Sequence, residues 1–173
     1  MFANNAILCP RKNDVEYINS LILKRMAGES KTYLSKDTIA VHNRRPLSVH
    51  AADAAIDRVN QLTPGNLPSH KLELKVGFPV SITRNICIPN GLCNGTRGQI
   101  LKMNQLTATV KVTTGPAAGS IVLIGPVRNE HGTQKNFKGT AFDRLQLPLR
   151  PCAAMTINRG QGMFLLDRCF LDR

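Results

Sequence analysis

The sequence predicts an α/β fold with a small antiparallel β-barrel inserted into it, and three observations carry this prediction. Residues 6 to 26 read as a short apolar run and then a helical pattern, which is typical of an α/β unit. Residues 70 to 148 contain several short strand patterns separated by glycine, proline and asparagine. The stretch "LQLPLRPCAAMT" then returns to an apolar strand pattern, so the barrel lies inside the α/β domain.

The first unit begins with "AILC", a short run that predicts a buried strand. Apolar residues at helical spacing follow it and predict a helix over residues 13 to 26: Val15, Ile18, Leu21, Ile22 and Met26. Asn13 is the predicted N-cap, because its side chain can accept from the first free backbone amides. Gly28, just past the last apolar position, predicts the stop.

Residues 29 to 69 connect this unit to the barrel. "TYLSKDTIAV" predicts a strand, and "SVHAADAAIDRVNQL" predicts a short helix that begins at Ser48. "TPGNLPSH" contains two prolines and a glycine, which end both patterns. We therefore predict a boundary between an N-terminal unit over residues 1–66 and a barrel over residues 67–147.

The barrel strands are predicted from alternation of polar and apolar residues. "KLELKV" alternates with the period of a half-buried strand, and "FPVSITRN", "GQILKM", "TATVKVTT" and "SIVLIG" follow it. Asn94 and Gly95 stand between "NICIPN" and "QILKMN", and an Asn-Gly pair between apolar runs is a strong signal for a hairpin. We predict a type I′ turn there, with positive φ at both residues.

The charge of the chain indicates a polyanionic partner. Lysine and arginine total 23 against 11 acidic residues, for a formal net charge of +12 in 173 residues. A folded domain with this imbalance attracts nucleic acid, although a basic surface that meets an acidic protein has the same composition. Charge alone does not choose between DNA and RNA.

The cysteines and histidines predict neither a disulfide framework nor a metal site. The five cysteines are odd in number, scattered and without C-x-x-C spacing, which favours a reducing compartment. The four histidines complete no metal-ligand pattern with them. We expect an intracellular protein, nuclear in a eukaryotic cell.

The sequence contains no recognisable motif for nucleotide chemistry. "GLCNGTRG" is rich in glycine, but a Walker A loop needs a lysine followed by a hydroxyl residue, and Gly95 is followed by Thr96 and Arg97. No nucleophile elbow and no zinc-protease motif is present. We therefore expect that this chain alone binds no ATP or Mg²⁺ and hydrolyses no ATP.

Three stretches of the sequence resemble the PIF-type DNA helicases of superfamily 1, including their Helitron-encoded relatives. "LPSHKLELKVGFPVSITRNICIPNGLCNGTRGQIL" is similar to the accessory barrel of that family. "CAAMTINRGQG" is similar to the family motif A-M-T-I-N-K-S-Q-G, and "ILCPRKNDVEYIN" to the strand and helix that open its second RecA-like domain. The resemblance extends over nearly the whole chain.

The resemblance implies the C-terminal portion of an ATP-dependent DNA helicase, namely its second RecA-like domain with an inserted Src-homology-3-like barrel. Such an enzyme binds ATP and Mg²⁺ between two RecA-like domains and moves along single-stranded DNA. The resemblance also implies a role in DNA repair, recombination and telomere maintenance. The stretch "CAAMTINRGQG" is called the Q-G motif below. The implied DNA contacts are six residues of the barrel and of this motif: Thr96, Arg97, Thr156, Asn158, Arg159 and Gln161. Asn94 and Gly95 would shape the turn, and Arg84 and Lys75 would add charge along the same face.

The departures from the family pattern define what this chain lacks. Arg159 and Gly160 stand where the family has Lys-Ser, and no first RecA-like domain with Walker A and B motifs is present. We therefore predict that residues 148–173 return to the RecA-like domain, and that the partner is a first RecA-like domain of the same polypeptide. Two alternatives remain open: a basic β-barrel module that binds nucleic acid without catalysis, and an inert transposon remnant.

Overall fold

The computed structural model describes residues 5–39, 49–64, 67–132, 141–160 and 168–170. They form three helices and thirteen strands, and the strands are arranged in four sheets. One sheet is parallel and the other three are antiparallel. None of the helices in these ranges is long and apolar enough to cross a membrane.

The parallel sheet has the order β12-β1-β13. Its strands are β1 (Ala6–Cys9), β12 (Ala154–Thr156) and β13 (Arg168–Phe170), and β1 lies in the middle. The predicted strand "AILC" is confirmed. Helix α1 (Lys12–Arg25) covers this sheet with Ile18, which packs against Cys9 and Ala154. The first and last described strands, β1 and β13, thus pair in one small α/β layer.

The first turn of α1 differs from the prediction. The N-cap residue is Arg11, which makes no side-chain capping bond, and the predicted cap Asn13 lies within the helix. The helix therefore starts close behind β1, and Asp14 supplies the acidic group of its first turn. Gly28, predicted as the stop, lies beyond the C-cap residue Met26 and has φ of +96°.

The segment between the two units contributes strands to the antiparallel sheets. The single predicted strand is divided at Ser35 into β2 (Ser30–Leu34) and β3 (Lys36–Ile39). Helix α2 (Val49–Gln61) follows; the predicted first residue, Ser48, lies outside the described residues. Strand β2 pairs with β4 (Lys71–Lys75), and β3 pairs with β10 (Phe142–Gln146).

The largest sheet has five strands in the order β11-β5-β6-β7-β8. Its strands are β5 (Pro79–Ile82), β6 (Arg97–Met103), β7 (Ala108–Val112), β8 (Ile121–Ile124) and β11 (Leu149–Pro151). The sequence predicted the first four of them. Strand β9 (Val127–His131) pairs with β10, and the sequence analysis predicted neither. One apolar core joins the five-stranded sheet to β2 and β4, with Leu74, Val80 and Ile100 at its centre.

A buried ion pair between Arg144 and Asp37 joins β10 to β3 and to the segment that follows α2. The guanidinium of Arg144 and the carboxylate of Asp37 are 0% and 1% exposed, and the atoms Nη2 and Oδ2 are 2.6 Å apart. Arg144 also donates to the backbone oxygens of Val59, Leu62 and Pro68. A single side chain thereby fixes β3, the end of α2 and the loop that follows it.

Candidate nucleic-acid interface

The carboxyl ends of β1 and β12 lie side by side and bring polar residues to one edge of the parallel sheet. Cys9, the last residue of β1, is paired with Thr156, the last residue of β12. Exposed Arg11 and Lys12 follow β1, and exposed Asn158 follows β12. In open α/β sheets, ligands bind outside the carboxyl ends of the strands. The structure therefore brings Thr156 and Asn158 together with two basic residues that the sequence analysis did not assign to the site.

The position of β12 is fixed by Asn19, a side chain to which the sequence analysis gave no role. Asn19 is 7% exposed; its Nδ2 donates to the Ala154 oxygen at 3.0 Å, and its Oδ1 accepts from the Ala154 nitrogen at 2.9 Å. The amide thus meets both backbone groups of one residue, as a further strand would. The available signal was a polar residue beside the apolar stripe of Val15, Ile18 and Ile22.

A cleft of about 460 Å³ extends from Thr156 between α1, β4 and β11. Its lining includes the basic residues Lys12, Lys71 and Arg150 and the acidic residues Glu16 and Glu73. Lys12 lies 3.6 Å from the Glu16 carboxylate and donates to the Thr63 oxygen at 3.3 Å. Both partners of Lys12 lie at an exposed surface, so the ammonium group can exchange them for a phosphate at small cost.

Arg97 does not belong to this surface, and its prediction as a DNA contact is wrong in this structure. The residue is 1% exposed, and its Nη2 donates to the Asn5 oxygen at 2.8 Å and to the Cys152 oxygen at 3.2 Å. Its Nε lies 3.5 Å from the Cys152 sulfur. Arg97 therefore joins β6 of the five-stranded sheet to the backbone that enters β1 and β12.

The thiol of Cys152 shares the buried environment of Arg97. Burial raises the pKa of this thiol, and the nearby guanidinium opposes that shift. The neutral thiol is a weak acceptor in contact with a cation. Arg97 and Cys152 thus form a packing contact between two sheets. Cys152 is buried and is not an exposed reactive cysteine.

The turn at Asn94 and Gly95 differs from the predicted type I′ hairpin. Gly95 has φ of +93°, but no described non-glycine residue has positive φ, so Asn94 lacks the conformation that a type I′ turn needs. Strand β6 pairs with β5, and residues 83–96 form the loop between them. The nitrogen of Asn94 donates to Asn85 Oδ1 at 2.9 Å, which fixes the turn within this loop.

The other polar side chains predicted near this turn bind the protein itself. The Thr96 hydroxyl accepts from the Cys93 nitrogen and donates to the Gly91 oxygen, both at 3.1 Å. Arg84 donates to the Arg128 oxygen, and Lys75 donates to the Met26 oxygen at 2.8 Å, where α1 ends. Thr96 thus shapes the loop, and Lys75 caps a helix.

Two residues predicted for the Q-G motif lie beyond what the structure describes. Strand β12 leads into the short helix α3 (Ile157–Gly160), but the side chain of Arg159 lies outside the described part of the chain. Gln161 lies outside the described residues altogether. Their role as DNA contacts stays a prediction.

The described residues contain no preformed cluster of metal-binding side chains. No group of three histidine, cysteine, aspartate or glutamate side chains in the described ranges is placed to hold a metal ion. Of the two acidic residues that line the cleft, Glu16 lies beside Lys12.

Comparison with known proteins shows similarity to one family of helicases. Residues 58–103 match the family described as the 2B domain of the DNA helicase Pif1. The ATP-dependent DNA helicase PIF1 of Xenopus laevis is 31% identical over 158 residues, which cover 91% of this chain and 22% of that protein. The chain thus spans about a fifth of the length of the curated relatives it matches.

Solved structures share the fold. Unliganded Pif1 from Bacteroides superimposes with a TM-score of 0.66 at 19% identity, covering 98% of this chain and 47% of that one. Bacteroides Pif1 in complex with ADP-AlF3 and single-stranded DNA gives 0.65 at 19% identity, covering 98% and 35%. Sequence and fold together confirm the resemblance to the PIF-type helicases: this chain is similar to a region of these proteins.

Proposed function

We propose that this chain is the part of an ATP-dependent DNA helicase that contributes single-stranded DNA binding and translocation. Residues 1–66 and 148–173 would form the second RecA-like domain, with a Src-homology-3-like barrel over residues 67–147 inserted between them. The shared core of the five-stranded sheet with β2 and β4 supports a closed β unit. Strand β2 lies within residues 1–66 and pairs with β4. The closed β unit would therefore include a strand that precedes the inserted segment.

One observation carries the proposal: the parallel sheet presents Thr156 and Asn158 beside Arg11 and Lys12. The hydroxyl and amide groups can donate to phosphate oxygens, and the two cations lower the cost of bringing a polyanion to the edge. Thr156 is positioned through Ala154, which Asn19 holds by two hydrogen bonds. A strand fixed in this way can transmit a shift of the domain to the DNA that it touches.

ATP use would need a second domain. The relatives are ATP-dependent helicases, and phosphoryl transfer in such enzymes depends on a phosphate-binding loop, its lysine and a carboxylate-held Mg²⁺. We propose that a first RecA-like domain of the same polypeptide supplies these groups. This chain would then contribute a surface that binds single-stranded DNA.

The test is binding of fluorescein-labelled oligo-dT to the 173-residue chain, followed by fluorescence anisotropy over a range of salt concentrations. We expect the slope of log K against log salt to be about −0.7 per phosphate neutralised. Lys12→Ala should make this slope less steep by about 0.7. Lys24→Ala, an exposed change at the other end of the same helix, is the matched control and should leave the slope unchanged.

Two results would overturn the proposal. Binding that is absent at low salt, or indifferent to salt, would exclude a phosphate-binding surface. Binding that is insensitive to Lys12→Ala but weakened by Lys102→Ala or Lys111→Ala would place DNA on the five-stranded sheet. That second result would favour a basic nucleic-acid-binding module without a part in translocation.

A further inference from the structure

Strand β8 is the last strand of the five-stranded sheet, and its outer edge is unpaired among the described residues. The nitrogen of Val112 donates to the oxygen of Ser120 at 2.9 Å, which makes this a hydrogen-bonded position of the antiparallel ladder. Bonded and non-bonded positions alternate along such a ladder. The backbone groups of Ile121 and Leu123 therefore face away from β7, toward the open edge.

The side chains along this edge are apolar and exposed. Ile121 is 63% and Leu123 is 67% exposed, and both belong to a strand, "IVLI", that contains no charged residue and no proline. Leu101 lies in the irregular position between Ile100 and Lys102 on β6 and is 39% exposed. Exposed edge strands are usually protected by charge or proline, because an open edge is a template for another strand. Strand β8 has neither protection.

The exposed charged side chains of β6, β7 and β8 are all lysines. Lys111 is paired with Ile121, and Lys102 is paired with Thr109, which in turn is paired with Leu123. Both lysines are exposed. Residues 97–127 include no aspartate or glutamate. Neighbouring strands lie about 4.8 Å apart, so Lys111 stands about 10 Å from an added strand, a gap that lysine and glutamate side chains span together.

We propose that β8 binds an extended acidic segment of a partner protein as a sixth strand of this sheet. On the face that Ile121, Leu123 and Lys111 share, this segment would place an apolar residue against Leu123 and a glutamate beside Ile121, within reach of Lys111. Backbone bonds at an open edge give affinity in this mode of recognition, and alternate side chains give specificity. A second copy of this chain is disfavoured, because it would add a second row of lysines without acidic residues to face them.

Nucleic acid fits this edge less well than an acidic peptide. Surfaces that bind single strands without sequence preference combine positive charge with aromatic side chains on which bases stack. Residues 97–127 contain no phenylalanine, tyrosine or tryptophan. Exposed aliphatic side chains beside free backbone groups match a β-strand instead.

The probe is a fluorescein-labelled peptide with the repeat Thr-Val-Thr-Glu, in which valine and glutamate share one face of an extended strand; it is titrated with the 173-residue chain and followed by anisotropy. Leu123→Asp should weaken binding by about tenfold or more, since it removes apolar contact and opposes the peptide charge. Leu34→Asp is the matched control, because Leu34 on β2 is also 67% exposed. It should leave binding unchanged.

The backbone contribution is tested at the same position. Leu123→Ala removes the side chain alone, whereas Leu123→Pro also removes the N–H that faces the open edge. Neither change breaks the ladder to β7, so both variants should keep their circular dichroism spectra. We expect the proline variant to bind the peptide several-fold more weakly than the alanine variant.

Three results would overturn the proposal. Equal losses in the Leu123→Asp and Leu34→Asp variants would show attraction by net charge alone. Competition by oligo-dT, together with loss of oligo-dT binding in Leu123→Asp, would make this edge a DNA surface. Sedimentation that shows a dimer, abolished by Leu123→Asp, would make the occupant a second copy of the chain.

Discussion

Arg11 and Lys12, at the carboxyl edge of the parallel sheet, are exposed, whereas Arg97 and Arg144, in the antiparallel sheets, are 1% and 0% exposed. All four count equally in the formal charge of +12. The first two can meet a polyanion, but the guanidinium groups of the other two are occupied by backbone oxygens and, for Arg144, by Asp37. Composition thus identifies a basic chain, while burial decides which cations are available to a partner.

The largest effect is expected from Arg144→Met. The change leaves the carboxylate of Asp37 buried without its counter-ion, which costs about 3–5 kcal/mol of the free energy of unfolding. Urea denaturation should show this loss. Arg128→Met, an exposed position on the neighbouring strand, should change stability by less than about 0.5 kcal/mol.

The ion pair can be separated from the packing around it. In the double variant Arg144→Met with Asp37→Leu no charge is left buried, so it should unfold at a higher urea concentration than Arg144→Met alone. If Arg144→Met and Arg128→Met unfold at the same urea concentration, the buried arginine contributes no more to the free energy of unfolding than the exposed one, which would contradict this prediction.

A second large effect is expected where β6 and β7 approach each other most closely. A Cβ atom added at Gly98 would contact Val110 and would lie 2.8 Å from the backbone oxygen of Lys111. Gly98→Ala should therefore destabilise the chain by about 1–3 kcal/mol through overpacking. At Gly125 the nearest atom would be 4.0 Å away, so Gly125→Ala is the control. Equal melting temperatures for the two variants would contradict the pairing of β6 with β7.

The elements predicted correctly are those whose local pattern agrees with their packing. "AILC" and "KLELK" bury apolar residues in the order that the sequence shows, and both strands were predicted. Strands β9 and β10 were missed because three of their four buried positions are polar: Asn129, Arg144 and Gln146 are buried, and only Phe142 is apolar. Gln146 satisfies its amide with the oxygens of Tyr33 and His70, which are distant in sequence. No local pattern contains that information.

The candidate site was predicted to a smaller extent than the fold. Thr156 was assigned through a motif, and the structure places it at a sheet edge, where polar residues are exposed. Arg97 was assigned from a similar motif but is enclosed by Asn5 and Cys152, which lie 92 and 55 residues away along the chain. The motif shows that an arginine is present, but only the tertiary contacts show what it binds.

Arg97→Met sharpens this contrast, because it removes one positive charge from the interior. Loss of the bonds to Asn5 and Cys152 leaves buried acceptors unpaired, at a cost of about 1–3 kcal/mol. At a temperature where the variant is folded, the salt slope of oligo-dT binding should equal that of the parent. A slope reduced as much as by Lys12→Ala would return Arg97 to the DNA surface.

The smallest effect is expected at the hydroxyl of Thr156. Thr156→Val keeps the shape and strand preference of the residue and removes one donor to phosphate. A single hydrogen bond contributes about 0.5–1.5 kcal/mol, so oligo-dT affinity should fall about two- to tenfold at constant salt, with no change in melting temperature. Thr109→Val, a half-buried change on β7, is the control and should leave affinity unchanged. Thr109 on β7 is paired with Leu123 on β8. A loss of oligo-dT affinity in Thr109→Val but not in Thr156→Val would therefore place the DNA contact on the five-stranded sheet and not on the parallel sheet.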